Sequence, residues 1–378
     1  MWRLIFALIL FSLSLLVLIK APTNFFWKVA VAVTEFPYIF IGVSLSFFIF
    51  CFWTKSYKIP ALLLTAGSSI LYFTPLIKVY ARGIVLQEEL YRNFPSANLL
   101  RQPLQQPFSF TKMFTGLGIK EITPQIFTYK KTFERDLSID FFRCSKALKA
   151  PCIIIIHGGS WAGGDSKQLP DLNSYLANRG YHVAALNYRL APKYKFPSPI
   201  EDTKDAINYL VANAETLKID TSNFILLGRS AGGQIALVSA YSFDNPNIKG
   251  VVSVYSPADM AWGARLKSNK LVLNTDKIFS DYLGGLIDQV PEQYRASTSL
   301  EYITKNSTPT LIIHGELDAM VSYGHSERLD KKLAENKVHH YFLNLPWATH
   351  GCDYNINGPS GQITTFAIER FINSVITQ

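Results

Sequence analysis

The chain has 378 residues, 48% of them hydrophobic, and a formal net charge of +9. That length exceeds one minimal domain, and the apolar residues are unevenly distributed along it. No run of lysine and arginine with interleaved aromatic residues is present, which argues against nucleic acid as a partner. The four cysteines include no Cys-x-x-Cys pair, which argues against a zinc site.

Three apolar runs at the start of the chain predict membrane-spanning helices. They cover residues 4–19, 37–53 and 59–77, and each is close to the roughly 20 residues that cross a bilayer. The first run could instead belong to a cleaved signal peptide, but Lys20 follows it directly and no small-residue cleavage site precedes it. The runs also lack the polar stripe of long helices in soluble proteins. We therefore predict a multi-pass transmembrane region over residues 1–79.

The charges that flank these runs predict an orientation. Arg3, Lys55 and Lys58 would lie on one side of the membrane, and Lys20 and Lys28 on the other. The bias is slight and favours an N-terminus inside the cytoplasm. Everything after the third run is therefore expected on the non-cytoplasmic side.

Residues 80–124 mix charged and apolar positions and then become rich in Gln, Pro and Phe, as expected of a juxtamembrane segment and a linker. Two alternating stretches follow, residues 126–133 and 137–142, and they predict an antiparallel hairpin at the edge of a sheet.

Continuous apolar strands then alternate with helical stretches. Strands are predicted over residues 152–156, 182–186, 224–227, 251–255, 310–313 and 340–345. Helices are predicted over residues 168–179, 200–214, 231–241, 323–336 and 361–376. This alternation predicts an α/β domain over residues 125–378, with a mostly parallel central sheet flanked by helices. The interval 256–308 is too long for an ordinary connection, so we expect a cap-like insertion there.

Ser230 lies between an apolar run that predicts a strand and a stretch that predicts a helix. Gly228 and Gly232, two residues to either side, would let strand and helix approach closely while the serine hydroxyl is exposed above the sheet. This is the Gly-x-Ser-x-Gly nucleophile elbow. A serine hydroxyl needs a base within hydrogen-bond reach, and the base needs a third group to orient it.

His350 is the predicted base, because it follows the last strand at the edge of the sheet where Ser230 lies. Asp318 follows the preceding strand and would hold the His350 imidazole in its reactive tautomer. Asp353 is only three residues beyond His350, which is too close in sequence to orient it. Two carboxylates remain rivals for the acid position, Asp259 and Glu316. The other histidines are interpreted as packed or solvated side chains: His182, His314, His325, His339 and His340.

Paired glycines after another predicted strand indicate an oxyanion hole. Gly158 and Gly159 directly follow the run Ile153-Ile154-Ile155-Ile156-His157. Because they lack side chains, their backbone N–H groups would be exposed. Together with the N–H of Ala231 they could bind the oxygen of a tetrahedral intermediate.

Several motifs resemble those of α/β-hydrolase carboxylesterases of the hormone-sensitive-lipase-like and feruloyl-esterase-like (BD-FAE-like) families. The similarity extends from about residue 125 to the end, and the motifs fall in the order that these families show. The matching motifs are His157-Gly158-Gly159-Ser160-Trp161, Asn187-Tyr188-Arg189-Leu190-Ala191-Pro192, Phe196-Pro197 with Glu201-Asp202, Gly228-Arg229-Ser230-Ala231-Gly232-Gly233 and His350-Gly351.

The resemblance implies an α/β-hydrolase fold and ester hydrolysis through an acyl-enzyme. It also implies a triad and three oxyanion donors: Ser230, Asp318 and His350, with Gly158, Gly159 and Ala231. Two positions depart from the usual pattern, because Ser160 replaces a third glycine and Arg229 replaces an acidic residue.

The sequence as a whole favours a membrane-anchored serine carboxylesterase that acts on small or medium acyl esters, with residues 256–308 helping to shape the acyl pocket. The membrane region suggests lipid-like, amphiphilic substrates. An acyltransferase or amidase with the same triad is one alternative, and a catalytically silent hydrolase-fold module for interactions is another. No metal or organic cofactor is implied, because the triad mechanism needs none.

Overall fold

An eight-stranded sheet forms the centre of the molecule. The computed structural model describes residues 1–53, 56–95, 106–134, 136–144 and 149–376. The strands are β1 (Gln125–Lys130), β2 (Leu137–Phe142), β3 (Ala150–Ile156), β4 (His182–Leu186), β5 (Ile219–Arg229), β6 (Ile248–Val254), β7 (Thr310–Gly315) and β8 (His340–Leu345). Their spatial order is β1-β2-β4-β3-β5-β6-β7-β8.

The pairing confirms the predicted sheet. β1 pairs with β2 and β2 with β4 in antiparallel fashion, whereas all other neighbours are parallel. β5 is longer than predicted and begins at Ile219, because the polar residues Asp220 to Asn223, of which only Asn223 is buried, hide the start of the strand from an apolar pattern. Its carboxyl end, like that of every parallel strand, lies at the edge where β3 and β7 also end.

Helices cover both faces of the sheet. Those between β3 and the C-terminus are α6 (Pro170–Arg179), α7 (Ser198–Ala212), α8 (Ala214–Leu217), α9 (Ala231–Ser242), α10 (Met260–Gly263), α11 (Thr275–Leu283), α12 (Pro291–Ser297), α13 (Gly324–Glu335) and α14 (Pro359–Val375), preceded by a short α5 (Lys112–Thr115). Side chains of α6 and α14 pack with Ile153 and Ile155 of β3, whereas α7, α9 and α13 pack with Ile154 and Ile156. This alternation follows the pleat of the strand, and each buried isoleucine contributes about 1.5–3 kcal/mol.

The predicted cap-like interval, residues 256–308, contains the short helices α10, α11 and α12 and a 3-10 turn at Ser299–Tyr302. These elements follow β6 and therefore lie at the carboxyl edge of the sheet. They are ordered by buried aromatic side chains, among them Phe279, Tyr282 and Tyr294.

Four longer helices precede α5 in the described part of the chain. They are α1 (Trp2–Ser14), which continues as a 3-10 turn to Val17, α2 (Asn24–Glu35), α3 (Pro37–Cys51) and α4 (Lys58–Asn93). By length and composition α4 could cross a membrane, and α2 with α3 would make a second span bent by 85°, whereas α1 is shorter. Of the three predicted spans, only α4 is supported as a separate membrane-spanning helix among the described residues, and this support is weak. The multi-pass topology stays a proposal.

The N-terminal helices pack against the sheet domain. α4 runs without a break through residue 79, where the sequence suggested the end of the membrane region. Its C-terminal half joins the core on one face of the sheet, with Leu86 and Leu90 fully buried, and the ring of Phe94 lies 5.0 Å from that of Phe371 on α14. Arg82 donates a hydrogen bond to the hydroxyl of Tyr341 on β8. Residues 96–105 of the predicted linker lie outside the described residues.

Candidate functional site

Ser230 lies on a sharp turn between β5 and α9. Its backbone angles, φ 52° and ψ −122°, are unusual for a residue with a side chain and are held by the elements on either side. A Cβ atom on Gly232 would lie 2.2 Å from the carbonyl oxygen of Ile156, so only glycine lets α9 approach β3 this closely. The predicted elbow geometry is therefore present, with Ser230 at the carboxyl edge of the sheet.

The structure places Ser230, His350 and Asp318 in one chain of hydrogen bonds. His350 Nε2 lies 3.1 Å from Ser230 Oγ, and His350 Nδ1 lies 2.7 Å from Asp318 Oδ2. His350 follows β8 on a loop, and Asp318 follows β7, as expected from the order of the motifs. Both side chains are buried, Asp318 almost completely. The arrangement can transfer the serine proton to the imidazole while the carboxylate orients the ring.

Asp318 is held as a carboxylate by four donors. The backbone N–H groups of Met320 and Val321 donate to Oδ1, at 2.8 and 2.9 Å, while His350 and His314 contact Oδ2. Burial alone would raise the pKa of Asp318, but the charge of His350 and the hydrogen bonds from both histidines hold it well below its usual range. The sequence did not assign this role to His314, since a histidine that ends a strand carries no distinguishing signal.

The rival acids are engaged elsewhere. Asp259 caps α10 through the N–H of Trp262 and forms an ion pair with Arg328, and Glu316 accepts from Asn344. Among the remaining histidines, His325 is buried beside the candidate triad. Burial lowers the pKa of His325 to about 3, so this ring stays neutral near pH 7.

The loop after β3 brings the candidate oxyanion donors next to Ser230. The N–H of Gly158 already donates to Gln168 Oε1, at 2.8 Å, so in this structure it is occupied. The N–H groups of Gly159 and Ala231 have no partner within the described ranges, and neither has that of Ser160, which the sequence did not suggest. Gly159 has φ +123°, and a Cβ atom there would lie 2.1 Å from the carbonyl oxygen of Gly163. Ser160 was missed because a backbone donor carries no side-chain signal, and Gln168 because nothing in the sequence around it indicates that its side-chain oxygen accepts from Gly158.

Buried polar contacts fix this loop. The hydroxyl of Tyr188 donates to the carbonyl of His157 at 3.0 Å, and the two rings stack 4.2 Å apart. Trp161 donates from Nε1 to Gln234 Oε1 and stacks on Tyr282 at 4.4 Å. The loop is thus joined to α9 and to the cap-like interval, which restricts the movement of the oxyanion donors.

Arg229, the residue before Ser230, forms a buried ion pair with Asp353. Arg229 Nε lies 2.5 Å from Asp353 Oδ2, and the hydroxyl of Tyr255 donates to Asp353 Oδ1, also at 2.5 Å. Burial and the nearby Asp353 charge raise the pKa of Tyr255, which therefore stays protonated. The ring of Tyr255 lies 4.4 Å from that of His350. Arg229, which stands where the similar families have an acidic residue, is thus paired with an acid on the His350 loop, Asp353. Asp353 supports this loop and is not hydrogen-bonded to the imidazole.

We expect Asp353→Ala to lower the free energy of unfolding by about 3–5 kcal/mol, because it leaves the Arg229 guanidinium buried without a counter-charge. Urea unfolding of the full chain in detergent measures the effect. Asp288→Ala, at an exposed acid, is the control and should cost less than about 0.5 kcal/mol. Adding Arg229→Met to Asp353→Ala should recover part of the loss. A cost below about 1 kcal/mol for Asp353→Ala would contradict this account.

Two cavities meet at Ser230. The larger has a volume of about 430 Å³ and is bordered by Ser230 and Ala231. The smaller, about 160 Å³, is bordered by Ser230, His350 and Gln168. If Ser230 attacks an ester, the His350 imidazole would protonate the departing alcohol, so the cavity at His350 would suit the alcohol and the larger one the acyl group.

Proteins with a similar sequence include esterases. Esterase LipC of Mycobacterium tuberculosis is 28% identical over 245 residues, which cover 60% of this chain and 59% of LipC. Ethyl acetate hydrolase of Pseudomonas putida is 37% identical over 95 residues, or 25% of this chain and 30% of that protein. The match thus covers less than two thirds of the length of these relatives.

Solved structures show the same fold. A bacterial heroin esterase superimposes with a TM-score of 0.59 at 20% identity, covering 71% of this chain and 89% of that protein. A truncated carbohydrate esterase from gut microbiota gives 0.55 at 21% identity, covering 67% of this chain and 98% of its own. These similarities identify the sheet domain as an α/β-hydrolase fold. The BD-FAE family model matches residues 139–333, more than half of the chain and including Ser230 and Asp318. The chain therefore belongs to the BD-FAE family.

Proposed function

We propose that the protein is a serine carboxylic ester hydrolase that works through an acyl-enzyme. The observation that supports this most directly is the continuous chain of hydrogen bonds from Ser230 through His350 to Asp318. The esterase relatives point to the same class of reaction. A silent module would be expected to lose a member of this chain of side chains, and all three are in hydrogen-bond reach.

In the proposed reaction, His350 Nε2 takes the proton of Ser230 as Oγ attacks the ester carbonyl. The oxygen of the tetrahedral intermediate receives hydrogen bonds from the N–H groups of Gly159 and Ala231, with Ser160 as a further donor; Gly158 would join them only if Gln168 released its N–H. His350 then protonates the departing alcohol, and the acyl group stays on Ser230. A water molecule, deprotonated by His350, attacks the acyl carbon; the bond from that carbon to Ser230 Oγ then breaks, His350 returns the proton to Oγ, and the acid is released. Each oxyanion donor is expected to contribute about 3 kcal/mol to transition-state stabilisation.

We also propose that the N-terminal helices anchor the enzyme to a membrane. Large apolar side chains are exposed on α1, α3 and α4, among them Ile9 at 49%, Ile39 at 50%, Leu63 at 69% and Ile77 at 65%. Exposed apolar surface of this extent is expected where a protein contacts lipid or another protein. The three-span topology, with the sheet domain on the non-cytoplasmic side, is part of this proposal.

The full chain in detergent should hydrolyse nitrophenyl esters, with the highest kcat/KM at about four to ten acyl carbons, because the acyl cavity lies at the lower end of the usual range for small-molecule sites. The measurement is release of nitrophenol across esters from two to sixteen carbons. A maximum at sixteen carbons would contradict the assignment of the larger cavity to the acyl group. Adding alcohols or amines tests the acyltransferase alternative, which requires acyl transfer to the added acceptor to exceed hydrolysis. The amidase alternative requires cleavage of the corresponding nitroanilides, whose acyl-enzyme water then hydrolyses.

A further inference from the structure

The end of the connection between α1 and α2, together with the first turn of α2, forms the segment of residues 20–27, which lies outside the BD-FAE match but borders the active-site cavities. Lys20, Ala21 and Pro22 line the larger cavity, as do Ser230 and Ala231. Ala21 is buried, with an exposed fraction of 4%. A segment that the sequence assigns to membrane flanks therefore forms one wall of the space that suits the acyl group.

Hydrogen bonds attach this segment to the cap-like interval. The N–H of Asn24 donates to the carbonyl of Leu271 at 2.9 Å, and its side chain donates to Val272 at 3.3 Å. In return, Asn269 donates from Nδ2 to the carbonyl of Pro22 at 2.9 Å. Val272 itself lines the larger cavity. Hydrogen bonds therefore join residues 20–27 to the part of the cap-like interval that borders the same cavity.

The same segment reaches the alcohol side of the site through Trp27. Its indole Nε1 donates to the backbone carbonyl of His350 at 2.8 Å. Its ring centroid lies 6.5 Å from that of His350 and 6.5 Å from that of Tyr354, and Trp27 lines the smaller cavity. Trp27 therefore both borders the alcohol side and holds the His350 loop.

The C-terminal end of α2 fixes the position of the segment. The buried carboxyl group of Glu35 accepts from the N–H of Ser360 at 3.0 Å and from its hydroxyl at 2.6 Å. The backbone carbonyl of Glu35 accepts from Asn355 at 2.9 Å. These contacts hold α2 against the start of α14, directly after the His350 loop.

We propose that residues 20–27 are a specificity-determining wall of the active site, and that this wall selects esters with an apolar acyl group of medium length. The inference rests on the proposed esterase function. Ala21 limits the length of the acyl group, while Trp27 is a positioning residue for the His350 loop. The N-terminal region is accordingly part of the substrate site as well as an anchor.

Ala21→Phe tests the acyl side in the full chain, in lipid nanodiscs. We expect kcat/KM for nitrophenyl octanoate to fall at least tenfold more than for nitrophenyl acetate, because the added ring occupies the cavity that the longer chain needs. Ala21→Leu should give a smaller change of the same sign. Ala81→Phe adds the same atoms at an exposed position of α4 and is the control. Equal losses for the two esters would overturn the inference while leaving the esterase intact.

Binding of octanoate separates this inference from the proposed function. If the unsubstituted chain hydrolyses neither ester faster than Ser230→Ala, the proposed function fails. In that case calorimetric titration of octanoate still decides the inference. Weaker binding to Ala21→Phe than to Ala81→Phe supports the wall, and equal binding overturns it.

Trp27→Phe tests the alcohol side, because it keeps an aromatic ring but removes the donor to the His350 carbonyl. Its kcat should fall about tenfold, with a smaller change in KM, since a displaced His350 loop impairs proton transfer more than substrate binding. Trp2→Phe, at an exposed tryptophan of α1, is the matched control. An unchanged kcat in Trp27→Phe would show that Trp27 does not position the His350 loop.

Discussion

Ser230→Ala is expected to lower kcat/KM for nitrophenyl esters by at least about 10⁴-fold. The alanine removes the nucleophile and leaves only the oxyanion donors and substrate binding to accelerate hydrolysis by water. The fold should persist, because alanine removes a single oxygen, whose contact within the described residues is with His350. The measurement is initial rates of nitrophenol release, with unfolding followed in parallel.

Ser239→Ala is the matched control for this substitution. It removes a hydroxyl from α9, the helix that follows Ser230; this hydroxyl is buried and has no hydrogen-bond partner in the described part of the chain. We therefore expect its kcat/KM to stay within about twofold of the unsubstituted enzyme. If Ser230→Ala keeps more than a tenth of the activity, Ser230 is not the nucleophile.

Asp318→Asn is expected to lower kcat by about 10³–10⁴-fold with little change in KM. The amide oxygen would keep the two backbone donors, Met320 and Val321, at the position of Oδ1. The NH₂ group would then face His350 Nδ1, which must become the acceptor, and the ring proton would move to Nε2. A His350 protonated at Nε2 cannot accept the proton of Ser230, so the base is lost while the substrate cavities are unchanged.

Asp259→Asn distinguishes the two candidate acids. Asparagine can still cap α10, so its effect on folding should be small, and kcat should stay within about threefold. A larger loss of kcat from Asp259→Asn than from Asp318→Asn would reverse the assignment. The affinity of each variant for a substrate analogue is the control. An unchanged affinity shows that the substitution has not altered the substrate cavities.

The sheet and the placement of the elbow at its edge were predictable because their signals are local. Buried parallel strands give continuous apolar runs, and the elbow needs glycines at fixed positions around Ser230. The order of Ser230, Asp318 and His350 along the chain then follows from the topology. The polar start of β5 was missed because half-exposed residues interrupt the apolar pattern that marks a strand.

Other features were not predictable because the partners lie far apart in sequence. Nothing near Trp27 indicates a contact with His350, and nothing near Arg229 indicates Asp353 as its counter-charge. The apolar composition of residues 1–79 predicts helices but does not distinguish a surface that faces lipid from one that packs on another helix. In the structure parts of α1, α3 and α4 are exposed, whereas Glu35 of α2 lies against α14.

The contacts of α2 also bear on how the protein folds. Trp27 and His350 are 323 residues apart in sequence, and Glu35 and Ser360 are 325 apart. Closing loops of this length raises the contact order and slows folding. During synthesis the first helices must wait for almost the entire chain before they can make these contacts. The site is therefore expected to mature last, and a ribosome that stalls before residue 350 would release helices and most of a sheet without a working enzyme.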